Sequence, residues 1–183
     1  HIAALVKDEV IDLIQLHGDE NEHYIKKLRR LTNAPIIYAV RVETHRDIEE
    51  ADRLPVDYLL LGQHYIRNEI DGVYVYEPTD DPKVLKTYVN QCIEALQTGL
   101  YTYLAHPDLI NFTGSETFYR REMERLCLAA KELNIPLELN LLGLRANRTY
   151  PSERFFRIAK ACGSTIVAGI DAHDPNCFFQ PET

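Results

Sequence analysis

The sequence contains no tryptophan, a single methionine and only four cysteines among its 183 residues. The cysteines are Cys92, Cys127, Cys162 and Cys177, and none of them forms the C-x-x-C pair that is typical of zinc knuckles and redox dithiols. Three of them lie in helical patterns beside apolar residues, where cysteine usually serves as a small buried hydrophobic residue. We therefore predict free thiols, which fits a reducing cytoplasm.

Positive charge is also scarce. Lysine and arginine number 20 against 28 acidic residues, which gives a formal net charge of -8. Nucleic-acid binding requires clustered positive charge, and none is visible. The apolar runs are much shorter than a membrane span, and no signal peptide opens the chain. We expect a soluble, cytoplasmic protein without nucleic-acid or membrane partners, with one domain over residues 1–183.

Short apolar strands alternate with amphipathic helices along the whole chain. This alternation predicts an α/β fold with a parallel sheet. Six strands are expected, in the segments IDLIQLHG, APIIYAVRV, DYLLLGQH, YTYLAHPD, PLELNLLGLR and TIVAGIDAHD. A closed TIM barrel has eight strands and typically about 250 residues. We therefore predict an incomplete or distorted TIM-barrel-like (βα)n fold of about six units, whose open edges a second copy or a terminal segment would cover.

Helix ends are marked by capping residues. Asp19, Thr44 and Ser152 stand where N-caps are expected, and Gly99 and Gly163 stand where helices end. These positions divide the helices from the strands that follow them.

Polar side chains collect at the C-terminal ends of the predicted strands, which is where parallel α/β folds place their chemistry. In chain order they are His17, Arg41, His64, His106 with Asp108, Asn140 with Arg145, and Asp171 with His173. Imidazole and carboxylate groups suit zinc, manganese or iron. The pattern as a whole thus indicates a divalent metal site, although any one strand-end histidine is more often a polar strand end or a hydrogen-bonded residue at the edge of the core than a metal ligand.

The segment 56–183 contains four stretches that together resemble the PHP (polymerase and histidinol phosphatase) family, and in particular its histidinol-phosphatase-like members. The stretches are DYLLLGQHYI, YLAHPDLI, LELNLLGLR and TIVAGIDAHDP. The resemblance implies that His64, His106, Asp171 and His173 match metal ligands. It also implies that Asn140 and Arg145, as candidate catalytic residues, lie near the phosphate of the substrate.

One departure from this family concerns the metal ligands. Its members open with an H-x-H strand and carry further histidines and a bridging glutamate around three metal ions. None of the seven histidines of this sequence forms an H-x-H pair. We therefore expect one ion rather than three.

The segment 1–55 resembles a different enzyme family. The stretch VIDLIQLHGDENEHYIKKLRRLTNAPIIYAVRV is similar to the middle of phosphoribosylanthranilate isomerase, a (βα)8 enzyme of tryptophan biosynthesis. The resemblance implies that His17 and Arg41 bind substrate. In the isomerases a later strand ends in LLLD, whose aspartate is the general acid. Gly62 takes that place here, and the cysteine base has no counterpart, so we expect no isomerase activity.

We interpret the chain as a chimera of isomerase-derived βα units (1–55) and PHP-derived units (56–183), and natural fusion, constructed recombinant and truncated chain all remain open. Three functions follow: a phosphoesterase fragment with little or no activity, an active metal-dependent phosphate monoester hydrolase, or a single-metal or phosphate-binding scaffold without turnover. The expected partner is a small phosphorylated metabolite or phosphate.

Overall fold

A computed structural model describes residues 1–16, 20–39, 50–66 and 72–171, and in it the six predicted strands form one parallel sheet. They are β1 (Ile14–Leu16), β2 (Ile36–Ala39), β3 (Tyr58–Leu61), β6 (Tyr101–Leu104), β7 (Leu137–Asn140) and β8 (Ile166–Gly169), paired in that order. The predicted incomplete (βα)n barrel is confirmed. A separate antiparallel pair of short strands, β4 (Tyr65–Ile66) and β5 (Val73–Tyr74), follows β3 and adds to the six predicted strands.

Helices connect the strands and pack against the sheet. Their bounds are α1 (Ile2–Lys7), α2 (Glu22–Arg29), α3 (Pro82–Gln97), α4 (Glu116–Glu132), α5 (Leu141–Arg145) and α6 (Glu153–Cys162). The core between helices and sheet contains large side chains with almost no solvent exposure, among them Tyr88, Phe112, Tyr119 and Phe155. No helix within the described ranges has the length and apolar character to cross a lipid bilayer.

Two predicted helix ends are confirmed in detail. The Ser152 hydroxyl accepts a hydrogen bond from the Phe155 amide at the start of α6. Gly163 ends α6 with φ of +71°, a backbone conformation that favours glycine. At α2 the cap is Asn21, whose side chain accepts a hydrogen bond from the Tyr24 amide at 2.9 Å. The predicted cap Asp19, like Thr44, lies outside the described residues.

The predicted strand PLELNLLGLR is shorter than expected, which corrects the position of Arg145. The strand ends at Asn140, because the Asn140 side chain accepts a hydrogen bond from the Gly143 amide at 2.9 Å and starts α5. A Cβ atom at residue 143 would lie 2.3 Å from the Tyr150 carbonyl oxygen, so this turn requires glycine. Arg145 therefore lies at the C-terminal end of a short helix and not at a strand end.

The two edges of the sheet differ in exposure. In β1 the side chains of Ile14 and Leu16 are buried. In β8 and just after it, Ile166, Val167 and Ile170 are 43%, 37% and 42% exposed. Of the two outermost strands, β1 thus buries its apolar side chains, whereas β8 leaves several partly exposed.

The free, buried cysteines predicted in the helices are confirmed for Cys92, Cys127 and Cys162, and Cys177 lies outside the described residues. Burial raises the pKa of the Cys92 and Cys127 thiols to about 12. Since the thiolate is the reactive form, we expect both residues to remain unmodified by N-ethylmaleimide in the native protein and to react fully in urea. Peptide mass spectrometry after a timed reaction checks this, and rapid native labelling of either residue would contradict it.

Candidate functional site

His64 and His106 are brought together by the register of two neighbouring strands. Leu61 of β3 pairs with Leu104 of β6. His64 follows Leu61 by three positions, and His106 follows Leu104 by two. The Ala105 amide continues the pairing through a hydrogen bond to the Leu61 carbonyl at 2.8 Å. As a result, the two imidazole rings lie with their centroids 4.8 Å apart.

His106 occupies a buried and strained position. Its backbone has φ of +30°, which is unusual for a residue with a side chain and typical of functional sites. Burial, followed by the neighbouring His64, lowers the pKa of His106 to about 4. The ring is therefore neutral at neutral pH, and its Nδ1 atom has no hydrogen-bond partner among the described residues. A neutral imidazole has a lone pair available for a cation.

Gly62 leaves the space that the two imidazoles occupy. A Cβ atom at this position would lie 3.2 Å from Cε1 of His64 and 3.5 Å from Nε2 of His106. Gly62, which the resemblance aligns with the aspartate of the isomerases, therefore lies in close contact with the two histidines.

A buried polar network supports His106 from the neighbouring strand β7. The Glu138 carboxylate accepts a hydrogen bond from the His106 amide at 2.9 Å and another from Nδ2 of Asn140 at 3.0 Å. Asn140 also donates to the Asp171 carboxylate at 3.1 Å. Burial raises the pKa of Glu138. The network thus links the ends of β6, β7 and β8 through one buried carboxylate and one buried amide.

Gly169 makes room for this network. A Cβ atom at residue 169 would lie 1.7 Å from Oε1 of Glu138, so a larger side chain and the buried carboxylate exclude each other. Two residues later, Asp171 has φ of +49°, the second strained backbone among the candidate ligands.

The described residues supply a pair of metal-ligand candidates, not a complete cluster. Among them no three His, Cys, Asp or Glu side chains are arranged to hold a metal ion. His173 lies outside the described residues. The unpartnered Nδ1 of His106 and the adjacent His64 ring have the chemistry to contribute ligands to a metal ion whose remaining ligands would come from other residues.

The other predicted site residues have separate outcomes. His17 and Arg41 lie outside the described residues. Asn140 is fully buried and bonded to three protein groups. Arg145 is exposed at the end of α5. The ligand-contacting roles of all four remain predictions.

Two residues that sequence reasoning did not assign lie beside the histidine pair. The Tyr150 ring is buried and meets the His106 ring edge-on, with 5.9 Å between centroids. Nη1 of Arg148 donates a hydrogen bond to the Tyr150 hydroxyl at 2.6 Å. The only signal in the sequence is the stretch NRTYP between two helices, which resembles an ordinary polar loop.

Asp108 is a further buried acid near His106 along the chain. Its carboxylate accepts a hydrogen bond from the Ser152 amide. Burial nevertheless raises the pKa of Asp108 to about 6. The two buried groups His106 and Asp108 therefore have pKa values that burial shifts in opposite directions.

Comparison with known sequences identifies one half of the resemblance. No protein-family model matches the chain. It is 48% identical over 59 residues to the N-(5'-phosphoribosyl)anthranilate isomerase of Lachnoclostridium phytofermentans, which is 32% of this chain and 27% of that enzyme. It is 36% identical over 73 residues to the Neisseria meningitidis isomerase, 39% of this chain and 33% of that enzyme. The chain thus matches about a quarter to a third of these relatives.

Comparison with solved structures identifies the other half. The histidinol phosphate phosphatase of Lactococcus lactis, solved with zinc, L-histidinol and phosphate, superposes with a TM-score of 0.61 at 16% identity, covering 94% of this chain and 78% of that one. A candidate histidinol phosphatase from Listeria monocytogenes gives a TM-score of 0.58 at 15% identity, covering 86% and 70%. The chain resembles both enzyme families.

The two comparisons carry different kinds of information. The sequence matches are short, at 59 and 73 residues, but their identities of 48% and 36% are high. The structural matches extend over almost the whole chain but at low identity, so they show a shared barrel fold and not a shared activity.

Proposed function

We propose that the chain is a histidinol-phosphatase-like barrel fragment (56–183) joined to an isomerase-like fragment (1–55), with a site at the strand ends that binds one divalent metal ion and phosphate. In this proposal the site hydrolyses phosphate monoesters slowly or not at all. The observation that carries it is the pairing of His64 with a buried, neutral His106 whose Nδ1 has no partner among the described residues.

His64 and His106 would hold the ion, with Asp171 and His173 as the remaining ligands. A bound divalent ion polarises a phosphoryl oxygen and lowers the pKa of bound water. The chain's own contribution is to keep His106 neutral by burial and to fix its main chain through Glu138. Zinc, manganese and iron all suit this mixture of imidazole and carboxylate.

Low turnover follows from the ligand set. Members of the PHP family hold three metal ions with a bridging carboxylate. The described residues of this chain bring together only two imidazoles. An active metal-dependent phosphate monoester hydrolase is the alternative, and the relative solved with zinc, L-histidinol and phosphate supports it at the level of fold. Hydrolysis of a phosphate monoester that stops on chelation and resumes with added metal would favour this alternative.

The test is the metal content of the purified protein by elemental analysis. We expect about one equivalent of zinc, manganese or iron in the wild-type protein. We expect this metal to be lost in His106→Ala and in His64→Ala, where the replaced His64 is half-buried. The matched control is His23→Ala, because His23 is an exposed histidine of α2. Wild-type protein without metal, or equal metal content in all four proteins, would overturn the metal site.

Three further features belong to the same proposal: the division at residue 55, a cytoplasmic location, and pairing of two copies across an open sheet edge. Sedimentation velocity tests the last of these, since a dimer would sediment faster than a monomer of 21.1 kDa.

A further inference from the structure

Arg148 is attached to the wall of the histidine site by a buried tyrosine. Its Nη1 donates a hydrogen bond to the Tyr150 hydroxyl at 2.6 Å, while the ring of Tyr150 packs edge-on against His106. Because Tyr150 is only 2% exposed, its ring is fixed by packing and its hydroxyl positions the guanidinium. The charged group of an exposed residue is thereby bonded to a tyrosine whose ring contacts a buried imidazole.

The tyrosines of the β4–β5 hairpin complete this wall. Tyr76 meets Tyr150 edge-on at 5.9 Å, and Tyr74 lies 6.2 Å from Tyr76. The hairpin itself is fixed to the site, because the Val75 amide donates a hydrogen bond to the carbonyl oxygen of His64 at 2.9 Å. A row of aromatic rings therefore runs from the hairpin surface to the histidine pair.

The electrostatic surroundings of Arg148 are unusual for this acidic chain. Arginines of the outer helices pair with carboxylates, as Arg125 does with Glu122 and Arg157 with Glu153. Arg148 has no carboxylate partner in the part of the chain that the structure describes. The guanidinium is thus bonded to a tyrosine whose ring packs against His106, and it forms no ion pair with a carboxylate of the described residues.

We infer that Arg148, held in place by the Tyr150 hydroxyl, binds the oxyanion of a ligand at the His64–His106 pair. Arginine suits this role because its planar group donates several hydrogen bonds to a phosphate or similar anion. In a chain of net charge -8, an anion also requires a local positive charge to approach the site. The inference rests on the proposed function, and it assigns to Arg148 the anion contact that family resemblance assigns to Arg145.

The experiment measures the affinity for inorganic phosphate by isothermal titration calorimetry, at low ionic strength and after removal of metal with EDTA. We expect Arg148→Met to bind about tenfold more weakly than wild type, which corresponds to the loss of one charge-assisted contact. Tyr150→Phe should weaken binding by a smaller factor, since it keeps the charge but removes the group that positions it. Arg120→Met is the matched control, because Arg120 is an exposed arginine of α4.

Each other outcome overturns the inference. Wild-type protein without saturable phosphate binding would do so, as would Arg148→Met with wild-type affinity, or a loss confined to Arg145→Met. The result is separable from that of the metal experiment. Phosphate binding that depends on Arg148, in a protein whose purified wild type carries no metal, would refute the metal site alone. If the purified protein holds zinc through His106 but Arg148→Met leaves the phosphate affinity unchanged, the present inference alone would be refuted.

Discussion

Gly169→Ala should lower the free energy of unfolding by about 3 kcal/mol, because the new methyl group overlaps a buried carboxylate that cannot move away without losing its hydrogen bonds. The Cβ position lies 1.7 Å from Oε1 of Glu138, which is bonded to the His106 amide and to Asn140 through its other oxygen. Urea unfolding followed by far-ultraviolet circular dichroism measures the change.

Gly99→Ala is the control for this substitution. Gly99 has φ of +74° but no atom within 4 Å of a Cβ, so alanine there should cost only about 1 kcal/mol of backbone strain. In a Glu138→Ala background the cost of Gly169→Ala should fall by about 1–2 kcal/mol, since the clashing group is gone. Equal losses at the two glycines, or an unchanged cost in the double variant, would show that the carboxylate does not limit this position.

Opposing pH dependences at His106 and Asp108 should nearly cancel in the wild-type protein between about pH 4 and 6. Burial holds the pKa of His106 at about 4, so over this range the unfolded chain binds more protons there and stability rises with pH. Burial holds the pKa of Asp108 at about 6, so the folded chain binds more protons there and stability falls with pH. Each contributes about 3 kcal/mol, since one pKa unit corresponds to about 1.4 kcal/mol.

Substitution should reveal each contribution. Relative to wild type, Asp108→Asn should gain about 3 kcal/mol in stability from pH 4 to 6, and His106→Gln should lose about as much from pH 4 to 6.5. Urea titrations of metal-free protein at several pH values measure both differences, with the exposed variant Asp80→Asn as control. A difference from wild type that stays constant with pH in either variant would refute the corresponding assignment.

The elements of this fold could be predicted because their signals are local. Apolar strands separated by amphipathic helices are enough to indicate a parallel sheet, and Ser152 and Gly163 mark α6 by chemistry within one turn of the helix. The predicted end of β7 was wrong. The run LELNLLGLR remains apolar past Asn140, whereas the turn depends on the Asn140 side-chain cap and on the close approach of Tyr150 to Gly143, neither of which the apolar pattern shows.

The candidate site could be predicted only in part. His64 and His106 are visible as polar residues that end apolar strands, and their adjacency follows from the strand order. Glu138 is not visible in this way, because a glutamate between two leucines looks like any outward-facing strand residue. Its partners, the His106 amide and the space left by Gly169, come from other strands. Arg148 likewise gains its significance only from Tyr150 and His106.

The exposed edge at β8 has a consequence for how the protein behaves at high concentration. The outermost strand β8 carries Ile166 and Val167 partly exposed to solvent, and within the described ranges its backbone pairs with β7 alone. Such an edge is a template on which strands of other molecules assemble, and this chain places no lysine or proline between Ile166 and Gly169 to prevent it. A lysine at position 167 would therefore be the substitution of choice for keeping concentrated samples from aggregating.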